Sequence, residues 1–468
     1  MAALLGVSVI LIAALIPLWG VRIPPLIDFA EHLAVSKMFY EWLSGQSALP
    51  VEATPFIGYK LFYLIAVASI AIARLFAIDP LWIPLISLLI SWLFIATMTI
   101  LAARQAITTF STRHSTLLLM VLVAVVPAMH NRVYFAGFMS YVVALPIVFL
   151  MVFKLEEMIR TPLTRRHVVV WVLLIAFSYV AHPFAIVLAL LWTAVRGVVN
   201  VTFRRQLAEV ERFTWILLGF APIVFYHFVF WRNTPFEVPL FLGRIRVFRP
   251  FGEWWEEGAV AFFNAGFMRL ADHQETVWFG TAMVVAALAA TVAVAVRARD
   301  RVQLVQYWIT FWLFFVLATF FHESLFPIPP TYWLDYPPRV SSLALPLAIF
   351  GAWLSYSAWN LRDRSPWVDR LLAVGVLAAV ILHMAGVRRN FVHFDSIARP
   401  VVLGFRTGPL PTAEELPVLH GAVYHPDGRF ILHYACLFRR DYLPRGEWFE
   451  RQNGIGVLPL RLKPETRN

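Results

Sequence analysis

Cysteine occurs once in this chain, at Cys436, which excludes an internal disulfide and a cysteine-based zinc site. Lysine is almost as scarce: of 39 basic groups, only Lys37, Lys60, Lys154 and Lys463 are lysines. Charge of either sign is thin, at 14% of residues against roughly 25% in an ordinary soluble domain. No Walker A loop occurs, which argues against nucleotide hydrolysis as an energy source. No glycine-rich dinucleotide fingerprint occurs either, which argues against a soluble nucleotide-sugar fold. The chain has no internal repeat, and no alternating pattern of the kind a membrane barrel needs.

Apolar residues dominate what is present: 60% of 468 residues, with a mean hydropathy of +0.71. Long apolar runs satisfy their own backbone only as helices, so the composition predicts an all-α polytopic membrane protein. The first run, Ala2–Trp19, has no basic flank and no small-residue cleavage site, and reads as a retained span. Further runs are Gly58–Ala77, Leu81–Ala103, Ser115–Met129, Val142–Phe153, Phe213–Phe230, Thr276–Val296, Gln303–Phe321, Val340–Trp359 and Leu371–Ala385. With the interrupted run from His167 to Val199, they amount to about 11–12 transmembrane helices. Gly58–Ala77 holds Lys60 and Arg74 and fits either a crossing or a half-inserted helix. After Arg388 the composition turns polar. The expected division is therefore a membrane module over 1–386 and a small soluble region over 387–468.

The net charge of +11 is almost wholly arginine and follows the loops. Basic clusters at 104–113, 154–166, 204–212, 297–301 and 362–370 mark the cytoplasmic side, because basic residues are retained there. A membrane surface is thus a better partner than nucleic acid. The loops 21–58, 231–275 and 322–339, with the C-terminal region, then fall on the opposite side, provided that Gly58–Ala77 does not fully cross.

The stretch Pro24–Trp42 places Asp28, Glu31 and His32 within five residues. As a helix it sets them at i, i+3 and i+4, on one face. A carboxylate pair beside an imidazole suits proton removal or cation binding, and a solvated juxtamembrane face is the plain alternative. Near the middle of the chain, Ala181-His182-Pro183 interrupts an apolar stretch, since proline removes a donor and disfavours helix before it. Two short helices meeting at His182 are expected, with one kinked span as the alternative. Broken helices at membrane depth usually line a cavity.

On the same expected face lie His130, Arg132, His322, Glu323, Asp335 and Arg339. Each has a plain role available: His130 and Arg132 as helix caps, His322 and Glu323 as a wet helix end, Arg339 snorkelling to headgroups. Taken together, loops from separate helices offer carboxylate, imidazole and guanidinium groups on one side. Such groups can activate a hydroxyl and hold a phosphate leaving group.

A span followed by a loop with the motif Asp28-Phe29-Ala30-Glu31-His32 resembles the start of the GT-C superfamily of polyprenyl-phosphate-sugar glycosyltransferases. Thr54-Pro55-Phe56-Ile57-Gly58-Tyr59-Lys60, leading to Ala73-Arg74-Leu75, is similar to the Lys-Pro-Pro-x-x-Tyr and Arg-Leu-Pro pattern of protein O-mannosyltransferases and lipid A aminoarabinose transferases. Thr54 and Pro55 depart from it where the family has lysine, and the acidic pair is split. Asn131–Tyr141, Ala181–Ala185, Tyr336–Arg339 and His433–Pro444 are similar to segments of bacterial multi-pass proteins of GT-C-like layout, whose first loop reads roughly Asp-x-Pro-x-His-Leu-Ala.

The resemblance implies transfer of a sugar from a polyprenyl-phosphate donor to an acceptor hydroxyl or amine, with inversion, at the outer face of a bacterial inner membrane. Asp28 would be the general base, with Glu31 beside it. His32, His130, His182, His322 and Glu323 would contribute to substrate binding. Arg132, Arg339 or the basic loop Arg244–Arg249 would hold the lipid phosphate. Glu31, His32 and His322 have the donor chemistry for a divalent cation, though no spacing is diagnostic of one. The C-terminal region fits an acceptor-binding cap or an interface for a membrane protein partner. Two other classes stay open: a lipid or small-molecule transporter or flippase, and a GT-C-like scaffold without activity, which the missing lysine and split acidic pair allow.

Overall fold

The computed structural model describes residues 2–26, 29–46, 60–110, 139–232, 302–320 and 366–408, with single positions between 288 and 296, 343 and 355, and 431 and 438. Among the described residues the structure is helical, with no strand. The helices are α1 (Ala2–Leu15), α2 (Phe29–Leu43), α3 (Lys60–Leu75), α4 (Ile83–Phe110), α5 (Met139–Arg160), α6 (Arg165–Ala181), α7 (Pro183–Arg204), α8 (Leu207–Leu218), α9 (Ala221–Arg232), α10 (Val302–Phe320) and α11 (Pro366–Gly404). Short 3-10 turns at Ile16–Leu18 and Pro80–Trp82 follow α1 and precede α4. Among the described residues, two stretches are long and apolar enough to cross a membrane, Pro80–Phe110 and Pro183–Arg204.

Local chemistry accounts for several boundaries. The Thr164 hydroxyl accepts from the His167 amide while His167 Nδ1 accepts from the Thr164 amide, a reciprocal cap that starts α6. The Asp79 carboxylate accepts from Leu81 N at 2.9 Å and so opens the turn before α4, where Pro80 needs no hydrogen-bond partner. Arg205, at φ 53°, ends α7 in the left-handed conformation.

Helix α5 is the centre of the bundle. Eighteen of its 22 residues are buried, and it packs against α3, α4, α6 and α7. It lies parallel to α4, because Gln105 Nε2 donates to Glu157 Oε2 (3.0 Å) and Arg160 Nη1 to the Thr109 carbonyl (3.0 Å) at their C-terminal ends. The starts of α4 and α5 therefore share the opposite end. Helix α6 runs back, and α7 then runs parallel to α5, with His182 beside Tyr141 at their starts and Arg196 on Glu156 further along; α8 and α10 pack on the far side of α7.

Two ends of different chemistry result. One gathers Lys154 and His167 around Glu157, Arg204 and Arg212 around Glu209, and Arg160 on the Thr109 carbonyl. At the other end α11 grips the loop that follows α1. Arg388 Nη1 donates to the carbonyls of Ile16 (3.0 Å) and Trp19 (2.9 Å). Asp395 accepts the amides of Arg22 (2.9 Å) and Ile23 (2.8 Å), and Tyr434 Oη donates to the Pro24 carbonyl at 3.3 Å.

Several sequence expectations change. The run Phe213–Phe230 is two helices of 12 residues each, α8 and α9, rather than one span. They part at Gly219, where an added Cβ would stand 2.9 Å from Trp171 Cδ1, so the ring of α6 needs the bare backbone. The division expected at 386/387 falls inside α11, which runs unbroken to Gly404 because its far half packs on the turn after α1. Gly58–Ala77 contains a helix of 16 residues, about 24 Å long and short of the roughly 30 Å hydrocarbon core. Ser115–Met129 lies outside the described residues, and Thr276–Val296 and Val340–Trp359 are described only at single positions.

Gly197 lets α7 and α8 approach closely: a Cβ there would lie 2.8 Å from Phe213 Cδ1. Gly197→Val is expected to destabilise the protein by about 1–3 kcal/mol through overpacking. Denaturant unfolding in detergent, compared with Gly375→Val, where a Cβ meets open space, checks it.

Candidate functional site

The expected site residues fall into two groups. Asp28, His130, Arg132, His322, Glu323 and Arg339 lie outside the described residues. Glu31 lies in α2, with only its backbone described; His32 and His182 are described in full.

Helix α2 starts three residues after Leu26 and buries Phe29, Ala30, Leu33 and Ala34. His32, one turn in, is set against α3. Its Nδ1 is 2.8 Å from Tyr63 Oη, and its ring meets those of Tyr63 and Phe62 edge-on at 5.4 and 6.0 Å. Burial there holds the imidazole down at about 4, so at neutral pH it carries no charge. A neutral imidazole can accept or relay a proton, but it contributes no cationic charge to hold a phosphate.

The linkage has a definite sign. The unfolded chain protonates His32 near 6.5 and the folded protein only near 4, so acid favours the unfolded state between those values. Stability supplied by the neutral ring is complete above about pH 6.5 and is lost on acidification toward pH 4. His32→Gln is expected to flatten the stability profile across that window and leave the slope above pH 7 unchanged. Unfolding curves of both proteins from pH 4 to 8 measure this.

His182 sits at the break between α6 and α7 with extended backbone, φ −164° and ψ 121°. Its Nδ1 accepts the Phe184 amide at 3.1 Å, which makes it the side-chain cap of α7, and Pro183 fills the first helical position. The ring is 4% exposed and meets Tyr141 edge-on at 5.3 Å. The expected helix break is therefore present, with a correction: α7 has 22 residues, about 33 Å, enough to cross a bilayer. Nδ1 is committed to the cap, so in a neutral ring the proton is on Nε2.

The structure brings to the His182 end groups that sequence reasoning passed over. Asp79 and Arg406 pair through two hydrogen bonds of 2.5 and 2.7 Å. This pairing holds the Asp79 carboxyl below its usual range. Arg22 stacks on Trp82, and Asp395 bridges to Arg399 as well as to the loop amides. Only the position of Arg22 at the end of the first span hinted at these; Arg22 and Asp395, and Asp79 and Arg406, lie more than 300 residues apart along the chain. Deeper in the bundle, Glu156 on α5, Arg196 on α7 and Gln306 on α10 form a buried polar group. Its signal was readable, since an arginine inside an apolar run is a rare feature.

Among the described residues, no three carboxylate, imidazole or thiol groups come together as a metal site. The side chains of Glu31 and His322 lie outside that description. Cys436 is buried, and burial pushes its thiol up to about 12, which makes it a poor nucleophile.

No family model, no curated protein and no solved structure matches this chain.

Proposed function

We propose that the chain is an integral membrane glycosyltransferase of GT-C layout, with about 11–12 transmembrane helices. It moves a sugar from a polyprenyl-phosphate donor to an acceptor at the outer face of the membrane. Asp28 takes the acceptor proton as the acceptor attacks the anomeric carbon, the configuration inverts, and the lipid phosphate leaves. A nearby carboxylate stabilises the oxocarbenium-like transition state.

One observation carries this reading. The loop that leads to Asp28, the helix break at His182 and the grip of α11 share one end of the bundle, and the arginine-rich ion pairs occupy the other. If the basic end faces the cytoplasm, the candidate site faces outward, where a lipid-linked sugar is the natural donor. Arg388, Asp395 and Tyr434 anchor Trp19, Ile23 and Pro24 of the stretch that leads toward Asp28.

The buried Glu156–Arg196–Gln306 group favours a second reading, a transporter using intramembrane charge as a path. Against it, the carboxylate and the guanidinium are already paired twice over, as in a structural lock.

The test is Asp28→Cys in a Cys436→Ser background, treated in intact cells with a membrane-impermeant maleimide. Labelling without lysis supports an outward site. Labelling only after lysis places the loop in the cytoplasm and removes the transferase reading. Release of polyprenyl phosphate from a panel of polyprenyl-phosphate sugars then reports transfer directly.

A further inference from the structure

The corner where the first loop meets α4 and α11 carries more positive charge than its carboxylates neutralise. Asp79 is taken up by Arg406. Asp395, 2% exposed, accepts two loop amides and pairs with Arg399. Arg388 spends Nη1 on two carbonyls. Arg22 is left over. Its guanidinium carbon lies 2.9 Å from the centroid of the Trp82 ring, and no acceptor among the described residues meets its N–H groups. Burial, and then Arg399, push that guanidinium down against the pull of Asp395 and Asp79. Four guanidinium groups there face two carboxylates, and Arg22 and Arg388 have no carboxylate of their own among the described residues.

Two features make this more than a snorkelling side chain. The Arg22 amide is tied to Asp395, so the backbone beneath the guanidinium is fixed. Trp82 holds the planar group from one side, which leaves its edge to face a ligand. Trp82 also lies at the start of the Pro80–Phe110 stretch, and Trp19 nearby is 71% exposed. Indole rings at span ends sit at headgroup level.

We propose that Arg22, seated on Trp82, is a phosphate-binding site at the membrane surface, its guanidinium fork taking two oxygens of a phosphate ester. The phosphate belongs to a lipid headgroup or comes free from solution. This deepens the transferase reading, on which it rests, by assigning the group that meets the donor's phosphate.

The experiment is binding of dodecyl phosphate to the full-length protein in phosphatidylcholine nanodiscs, followed by native mass spectrometry. Dodecanol serves as the uncharged control, and inorganic phosphate as competitor. Arg22→Gln is expected to weaken dodecyl phosphate binding about 10- to 100-fold, the value of a charge-assisted hydrogen bond. Arg22→Lys, which keeps charge without the fork or the stack, should weaken it about tenfold. Should Arg22→Gln fail to fold, Trp82→Leu removes the platform without touching charge and is expected to weaken binding about threefold or more. Competition by inorganic phosphate at comparable concentration makes the source free phosphate; its absence makes the source a lipid headgroup. Either supports the site. Wild-type affinity in folded Arg22→Gln or Arg22→Lys overturns it. Binding needs no turnover, so Asp28→Asn should bind dodecyl phosphate like wild type, which separates this site from the catalytic reading.

Discussion

Glu156→Ala is expected to cost about 3–5 kcal/mol of unfolding free energy. Arg196 is fully buried between α5 and α10. Its Nε donates to Glu156 Oε1 at 2.5 Å, its Nη2 to Glu156 Oε2 at 3.1 Å, and its Nη1 to Gln306 Oε1 at 3.2 Å. A guanidinium cannot shed its proton inside a protein, so deleting the carboxylate strands a charge where no water reaches. The double change Glu156→Leu with Arg196→Met removes both charges at similar volume and should recover most of the loss, because a buried pair rarely outperforms apolar packing. Chemical unfolding in detergent of the wild type, both single variants and the double variant closes the cycle. A loss below about 1 kcal/mol in Glu156→Ala would mean that the carboxylate is not the partner Arg196 depends on.

Asp28→Asn is expected to lower sugar transfer by about 10²- to 10⁴-fold, the usual share of a positioned general base. Asparagine keeps the shape of the side chain and cannot accept the proton, so fold and donor binding should persist while kcat falls. The readout is polyprenyl phosphate released per mole of protein, with the melting temperature confirming an intact fold. Asp28→Glu, which keeps the carboxylate but moves it, should fall between. If Asp28→Asn retains a rate within about threefold of wild type, the base is another group, and Glu31, the third residue of α2, is the next to test.

Some features of the fold were written in local chemistry. Composition predicted helices, because a long apolar run can satisfy its backbone only within itself. His182-Pro183 marked a break, since the effect of proline on its own amide and on the preceding residue needs no distant partner. The start of α4 and both ends of α10 fall within a few residues of expectation, while α4 runs on past Ala103 to Phe110. Of the motif Asp28, Glu31 and His32, the last two fall in α2, which begins at Phe29, and Asp28 lies outside the described residues.

Other features depended on which surfaces meet. Gly219 separates α8 from α9 because Trp171 of another helix presses on that backbone. Helix α11 continues through a polar stretch because Arg388 and Asp395 find the loop after α1, about 370 residues earlier. His32 is neutral because α3 brings Phe62 and Tyr63 over it, and isolated spacing made it a candidate without setting its charge. Arg22 read as the end of a span and, among the described residues, has no carboxylate of its own over Trp82 because Asp395 and Asp79 are claimed by Arg399 and Arg406. Sequence alone determined the helical class and the break at His182, because backbone preference and apolar burial act over one or two turns. Tertiary structure decided which charges are paired, which are buried and which are left over, because electrostatic partners are chosen by distance in space.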